Sequence, residues 1–125
     1  MPTFKRFEDI QAWQKAREVT ANIYSVTKQP DFSRDFPLRD QIRRSSVSIM
    51  ANIAEGFARR SDKDFANFLN ISRSSAAEVR SHLYVALDQG YIGQQDFDFI
   101  YAKLEEASRM IFGIVRHLTQ KSGSK

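Results

Sequence analysis

The side chains that most often perform catalysis or bind metals are few in this sequence, and their spacing suits neither task. The 125-residue chain has no cysteine, which excludes thiolate metal sites and cysteine nucleophiles. Of its two histidines, His82 follows Glu78 by four residues, whereas di-iron bundles use Glu-x-x-His, and His117 is far away in sequence. Glu105 and Glu106 are adjacent, so their carboxylates diverge on a helix. We therefore predict no metal, no cofactor and no enzymatic activity.

Arginine is the remaining side chain with a clear chemical use, because its planar guanidinium binds phosphate through paired hydrogen bonds. The candidates for anion binding are Arg39, Arg43, Arg44, Arg59 and Arg60. The pairs 43–44 and 59–60 point to nearly opposite sides of one helix, and only Arg44 and Arg59 share a polar line with Gln41. The alternative is a solvated face on which Glu55 pairs with Arg59.

The positive charge is unevenly distributed along the chain, whose formal net charge is +4. Residues 1–60 contain 11 basic and 7 acidic side chains, and residues 61–125 contain 8 of each. All of the surplus therefore lies in the first half, an asymmetry that can mark a surface that faces a polyanion. From the charge alone we favour the other interpretation, that +4 is ordinary for a soluble domain.

A short polar block, Asn-Ile-Ala-Glu-Gly at residues 52–56, interrupts an otherwise apolar helix. Asn52 and Glu55 need hydrogen-bond partners wherever they are buried. Gly56 is a poor helix former, but it permits a bend or the close approach of another helix. We favour a structural polar network at a subunit interface that sets the register of the helices, with a ligand site as the alternative.

Four segments have helical periodicity, and turn-forming residues separate them. The first segment, which Pro30 ends, has the apolar stripe Ala12, Ala16, Val19, Ile23 and Val26. The second, with Pro37 in its first turn, has two stripes: Leu38, Ile42, Ser45, Ile49, Ile53 and Gly56, and Val47, Met50, Ala54 and Phe57. Burial on two faces implies two contacts, one with the rest of the bundle and the other with a neighbouring subunit. Phe32 and Phe36 predict that the connection between the two segments packs against the core.

The third segment begins after Ser61, which with Asp64 resembles a capping box, and ends at Gly90. Its stripe is Phe65, Leu69, Ser72, Ala76, Val79, Leu83 and Ala86. The fourth segment follows Gly93, and its stripe is Phe97, Ile100, Leu104, Ala107, Ile111, Ile114 and Leu118. The alternating steps of three and four in this last stripe are typical of left-handed bundle packing.

These segments predict an all-α fold, an up-down-up-down antiparallel four-helix bundle, because short turns join antiparallel neighbours. We expect one domain at residues 1–120 and a frayed tail at residues 121–125. No apolar run is long enough to span a membrane, and the first residues lack the apolar region of a signal peptide. We therefore expect a cytoplasmic protein.

Several motifs in the chain resemble a known family. They are Gln41-Ile-Arg-Arg-Ser45, Val47-Ser-Ile-Met-Ala-Asn-Ile-Ala-Glu-Gly56 and, near the start, Phe7-Glu-Asp-Ile-Gln-Ala-Trp13. They are similar to motifs of the proteins encoded in intervening sequences of large-subunit ribosomal RNA genes, although Met50 stands where that family commonly has proline. The matching signature positions, which are also candidate interface residues, are Gln41, Arg43, Arg44, Asn52, Glu55 and Gly56.

The resemblance implies an assembly and a class of partner. The family is similar to accessory proteins of diversity-generating retroelements, which form pentameric barrels and bind a reverse transcriptase and nucleic acid. It therefore implies a homopentameric ring that binds RNA, DNA or a protein that handles nucleic acid, with no catalytic residues to transfer. The alternative is a structural or regulatory protein–protein interaction module without a nucleic-acid role, because few aromatic residues accompany the arginines.

Overall fold

The protein is all-helical across the residues described by the computed structural model, which are residues 4–123, with side chains for residues 4–120. A short 3-10 turn (Phe7–Asp9) comes first, and five α-helices follow: α1 (Gln11–Val26), α2 (Pro30–Arg34), α3 (Phe36–Phe57), α4 (Asp62–Asp88) and α5 (Gln94–Gly123). Residues 4–123 contain no β-strand, which confirms the all-α prediction. The helix α5 reaches into the predicted tail as far as Gly123, and the last two residues lie outside the described part.

The four long helices match the four predicted segments and pack in a cyclic order. The helix α3 packs against α1 and α4, and α5 packs against α4 and α1. Each helix therefore buries one stripe against a shared core, as the sequence periodicity predicts. Among the described helices, none is long and apolar enough to cross a membrane.

Polar side chains and a glycine cap the ends of α3 and α4, and for α4 they are the residues expected from the sequence, Ser61 and Gly90. The Ser61 hydroxyl accepts a hydrogen bond from the Asp64 N–H at 3.1 Å and caps α4. The Asp35 carboxylate accepts from the Leu38 N–H at 3.2 Å and caps α3. At the other end of α4, Gly90 adopts a φ of +74°, and the Tyr91 N–H donates to the Ala86 carbonyl at 2.9 Å. This left-handed glycine stops the helix without the steric cost that a side chain would bring.

The predicted stripes of α1 and α4 are buried in full, and so is the inner stripe of α3. The stripe of α5 departs from the prediction near its end, since Val115 is buried there and Ile114 is only half-buried. A straight α-helix has 3.6 residues per turn, so a strict seven-residue repeat drifts around it. The step after Ile111 is therefore four residues instead of three.

The second stripe of α3 finds its cover within the same chain. Met50 and Phe57 are half-buried and pack against the core, and Ala54 is half-buried as well. Because α1 and α4 flank α3 on two sides, this burial needs no second subunit. Val47 is the exception, with 41% of its surface exposed.

The connection between α1 and α3 contains the short helix α2, and its two phenylalanines behave differently. Phe32 is fully buried and stacks on Tyr91 with ring centres 5.2 Å apart. Phe36 is 59% exposed, with the Arg39 guanidinium 4.8 Å from its ring centre. The expected packing is confirmed for Phe32 and wrong for Phe36, which occupies the first turn of α3 and points away from the core.

Candidate functional site

Two of the five candidate arginines lie together in an open groove between α1 and α3, which we call the α1–α3 groove. It has a volume of 440 Å³ and is lined by Tyr24, Asp40, Arg43, Arg44 and Val47. Tyr24 and Val47 are partly exposed along it. The groove therefore combines apolar surface with charges of both signs.

Arg43 is held inside this groove by contacts that tie α3 to the end of α1. Its Nε donates a hydrogen bond to the Thr27 hydroxyl at 2.7 Å, and its guanidinium carbon lies 4.7 Å from the centre of the Tyr24 ring. Thr27 is fully buried and donates in turn to the Ile23 carbonyl at 2.7 Å. A cation at a helix C-terminus also interacts favourably with the helix dipole. Arg43 thus has a structural role.

The other candidate arginines lie at the start of α3 and beyond its end, because α3 stops at Phe57 and does not carry Arg59 and Arg60 on one helix with Arg43 and Arg44. Arg39 pairs with Asp40 at 2.9 Å and donates to the Ser33 carbonyl at 3.0 Å. Arg59 pairs with Glu55 at 3.2 Å, as expected from the alternative interpretation in which this face is solvated and the two side chains neutralise each other. With a rise of 1.5 Å per residue, the part of α3 from Arg39 to Phe57 is alone about 27 Å long, so the five arginines do not converge on one surface.

Two of the candidate arginines keep their donors available. Arg44 and Arg60 are exposed, and neither has an ion pair or hydrogen bond with another residue in the described part of the chain. Gln41, the remaining signature residue at the start of the polar line, is also exposed.

The polar residues of the signature form a seam between α3 and α4. The Asn52 side-chain amide donates to the Ser48 carbonyl at 2.9 Å and to the Ser48 hydroxyl at 3.0 Å. The Ser48 hydroxyl bonds the Ser75 hydroxyl at 2.8 Å, and the fully buried Ser72 donates to the Ile49 carbonyl at 2.8 Å. These bonds satisfy half-buried polar groups within one chain and fix the register of α3 against α4. This geometry favours the structural interpretation of Asn52 over a ligand site.

Gly56 allows α3 and α4 to approach closely at the end of this seam. A Cβ atom at this position would lie 2.8 Å from Phe68 Cβ and 2.9 Å from Phe65 Cδ1. Real Cβ atoms essentially never come so close to their neighbours. Glycine is therefore required here for space, and its place in the signature has a packing explanation.

The histidines offer no metal site in the described residues. No group of three or more His, Cys, Asp or Glu side chains there is arranged to hold a metal ion. His82 Nδ1 and His117 Nε2 are both buried and have no hydrogen-bond partner within that part of the chain. Each histidine lies on its own helix, half-buried.

A second cluster of arginines, outside the candidates named from the sequence, lies between α4 and α5. We call it the arginine groove; it has a volume of 200 Å³ and is lined by Arg73, Arg80, Glu105, Ser108, Arg109 and Phe112. Its signal in the sequence is a spacing of seven residues, which places Arg73 and Arg80 on one face of α4. The balanced charge of residues 61–125 hides this cluster, because a sum over a segment ignores where the side chains lie.

Comparison with known proteins places this architecture in a family. The family model of the 23S rRNA-intervening sequence protein matches residues 8–113. The chain belongs to this family. The match covers every signature residue of α3 and both grooves, and its family is the one that the sequence motifs resemble. No curated protein matches the chain significantly.

A solved structure of similar fold supports the assignment. It is the crystal structure of a protein of unknown function from the S23 ribosomal protein family of Bacteroides thetaiotaomicron. The two chains are 28% identical, with a TM-score of 0.78, and the match covers 83% of this chain and 97% of that one. The family therefore identifies the fold of this protein and leaves its function to be argued from its surface.

Proposed function

We propose that this protein is a non-enzymatic four-helix bundle that assembles into a homopentameric ring in the cytoplasm and binds nucleic acid. The proposal includes the relation to retroelement accessory proteins that the sequence motifs imply. The observation that carries it is the number of arginines that have no carboxylate partner.

Only a minority of the arginines take part in ion pairs. Of the twelve in the sequence, four form ion pairs, namely Arg6, Arg34, Arg39 and Arg59. The other eight have no carboxylate within ion-pair distance among the described residues. Guanidinium groups without carboxylate partners suit phosphate, and each phosphate contact releases counterions and strengthens binding at low salt.

Contacts between neighbouring helices support the up-down-up-down topology. Two ion pairs join α1 and α5: Lys15 pairs with Glu106 at 3.0 Å, and Glu18 pairs with Lys103 at 2.9 Å. Glu18 follows Lys15 along α1, whereas Lys103 precedes Glu106 along α5. The order of the contacts thus reverses between the two helices, as expected for antiparallel neighbours.

The α1–α3 groove supports self-association. Val47 and Tyr24 are 41% and 37% exposed there, beside Asp40 and Arg44. An exposed apolar patch flanked by charges of opposite sign can be covered by a second copy, whose own charges pair with these. A ring would also bring the surplus charge of several subunits together and raise the local potential.

Two measurements on the purified protein test this function. Light scattering gives the mass in solution, and a value near the monomer mass of 14.4 kDa contradicts the ring. Fluorescence anisotropy of labelled RNA and DNA, from about 50 mM to about 200 mM salt, measures binding and its salt dependence. We expect binding that weakens steeply as salt rises. Lack of binding at about 50 mM salt would remove nucleic acid as the partner.

A protein–protein interaction module is the second candidate function. The observation in its favour is the exposure of two aliphatic side chains on α4, Ile71 at 47% and Val85 at 42%. Their spacing of 14 residues places them on one face of the helix. If the protein binds no nucleic acid but forms a complex of fixed stoichiometry with one protein, this candidate replaces the first.

A further inference from the structure

The arginine groove between α4 and α5 has the geometry of an extended basic track. Arg73 and Arg80 on α4 are two helical turns apart, or about 10 Å, and so are Arg109 and Arg116 on α5. Arg73, Arg80 and Arg109 line the groove. Arg116 flanks it, with its guanidinium carbon 5.9 Å from the centre of the Phe112 ring.

These four arginines keep most of their hydrogen-bond donors available. None has an ion pair with another described residue, and the hydrogen bond that Arg73 donates to Asn70 Oδ1 is long at 3.4 Å. One carboxylate, that of Glu105, lines the groove and opposes this charge. Four cations against one carboxylate leave a surplus that an anionic ligand can neutralise.

An exposed aromatic ring lies among the arginines. Phe112 is 41% exposed, and the Arg73 guanidinium carbon lies 4.5 Å from its ring centre. Aromatic rings and guanidinium planes are the two surfaces on which unpaired bases stack in proteins that bind single strands. The groove therefore offers phosphate-binding groups and a stacking surface side by side.

The shape of the groove selects a single strand over a duplex. The axes of packed helices are about 8–10 Å apart, so a groove between them is narrower than a double helix. The bases of a duplex are stacked on each other and cannot also stack on a ring that lines the groove. A single strand can lie along the arginines and turn one base onto the ring.

We infer that the arginine groove binds single-stranded nucleic acid, with Arg73, Arg80, Arg109 and Arg116 contacting phosphates and Phe112 stacking on a base. This assignment rests on the nucleic-acid binding proposed above and names its site and the form of its ligand. It places the site on α4 and α5 and not at the candidate arginines of residues 39–60.

The first test removes two charges from the groove. The double variant Arg80→Gln with Arg109→Gln leaves the packing of Phe112 in place. Binding of a fluorescein-labelled single-stranded RNA is measured by anisotropy over a salt series. Two lost phosphate contacts should reduce the slope of log K against log salt by about 1.4 and weaken binding about 25-fold at about 0.1 M salt.

A matched control removes the same charge elsewhere. Arg17 and Lys28 are exposed on and just after α1, and neither has an ion pair among the described residues. The double variant Arg17→Gln with Lys28→Gln should retain both the affinity and the salt slope of the unaltered protein. Light scattering and circular dichroism on every variant show that mass and helix content are unchanged.

A second test separates stacking from charge. Phe112→Leu should weaken binding at least about fivefold, and Phe112→Trp should restore it, because leucine cannot stack on a base. Phe99→Leu is the control, since Phe99 is 55% exposed with Lys103 Nζ 4.8 Å from its ring centre, but lies outside the groove. Glu105→Gln, which removes the opposing charge, should tighten binding.

The outcomes distinguish the site from the function. If the unaltered protein fails to bind at low salt, the proposed function fails, and the groove inference fails with it. If the unaltered protein binds but the groove and control variants weaken equally, the function stands and the site is wrong. Equal affinity for duplex and single strand overturns the choice of ligand.

Discussion

Gly56 makes the close packing of α3 against α4 testable by the addition of one methyl group. In Gly56→Ala, the new Cβ would lie 2.8 Å from Phe68 Cβ and 3.2 Å from the Phe65 carbonyl oxygen. Both atoms are fixed to the α4 backbone, so a side-chain rotation cannot relieve the contact, and the two helices must move apart. Overpacking of this kind costs about 1–3 kcal/mol, while alanine improves helix propensity by about 0.5–1 kcal/mol. The difference of these two effects is centred on about 1 kcal/mol, so we expect the free energy of unfolding to fall by about that amount.

Gly113→Ala is the matched control, because it makes the same substitution in the interior of another helix. A Cβ at Gly113 would meet no atom within 4 Å in the described structure. Only the propensity gain then applies, and the free energy of unfolding should rise by about 0.5–1 kcal/mol. Urea denaturation followed by circular dichroism measures both variants at one protein concentration, because the stability of any protein that self-associates depends on its concentration.

The decisive result is that the free energy of unfolding falls in Gly56→Ala and rises in Gly113→Ala. If Gly56→Ala stabilises the protein as much as Gly113→Ala does, the close approach of α3 and α4 is not a constraint, and the packing explanation of the signature glycine is wrong. Gly56→Val extends the series, since two further methyl groups should increase the loss.

Two further predictions follow from single hydrogen bonds. Arg43→Ala should lower the free energy of unfolding by about 1 kcal/mol because Arg43 bonds the buried Thr27, whereas Arg44→Ala should leave it unchanged; urea denaturation compares them, and equal effects refute the structural role. Tyr91 donates to the Asp35 carboxylate at 2.9 Å, and this bond raises the pKa of Tyr91 above its usual value of about 10. The stabilisation is therefore complete below about pH 10 and lost as pH rises through the raised pKa. Tyr91→Phe should remove this alkaline dependence of the unfolding free energy, and an unchanged profile contradicts it.

The helices and their inner faces could be predicted from the sequence because they depend on local patterns. Apolar residues repeat with the helical period, and Ser61 and Gly90 mark helix ends by their own chemistry. The burial of Gly56 follows from its place on the stripe of α3. Each of these inferences needs only residues within a few turns of one another.

The partners of polar side chains could not be predicted in the same way. Arg43 bonds Thr27 across the α1–α3 contact, and Ser48 bonds Ser75 across the α3–α4 contact. These pairs depend on the rotation and register of two helices, which periodicity fixes only to within a residue or so. The sequence thus identifies Arg43 as a notable residue but not as one that joins α1 to α3.

The second half of the chain shows most clearly why the net charge of a segment does not reveal a local cluster of basic side chains. Residues 61–125 have no net charge, yet several acidic side chains lie at the ends of α4 and α5: Asp62, Asp64, Asp88, Asp96 and Asp98. Glu106 pairs with Lys15 of α1, and Glu78 is exposed on α4 but does not line the arginine groove. Arg73, Arg80 and Arg109 lie in the middle of the two helices, far from the aspartates at the helix ends, and Glu105 alone among the acidic residues lines their groove. A segment that is neutral in sequence is therefore basic at one place on its surface, and the electrostatic potential there depends on that local charge and not on the sum.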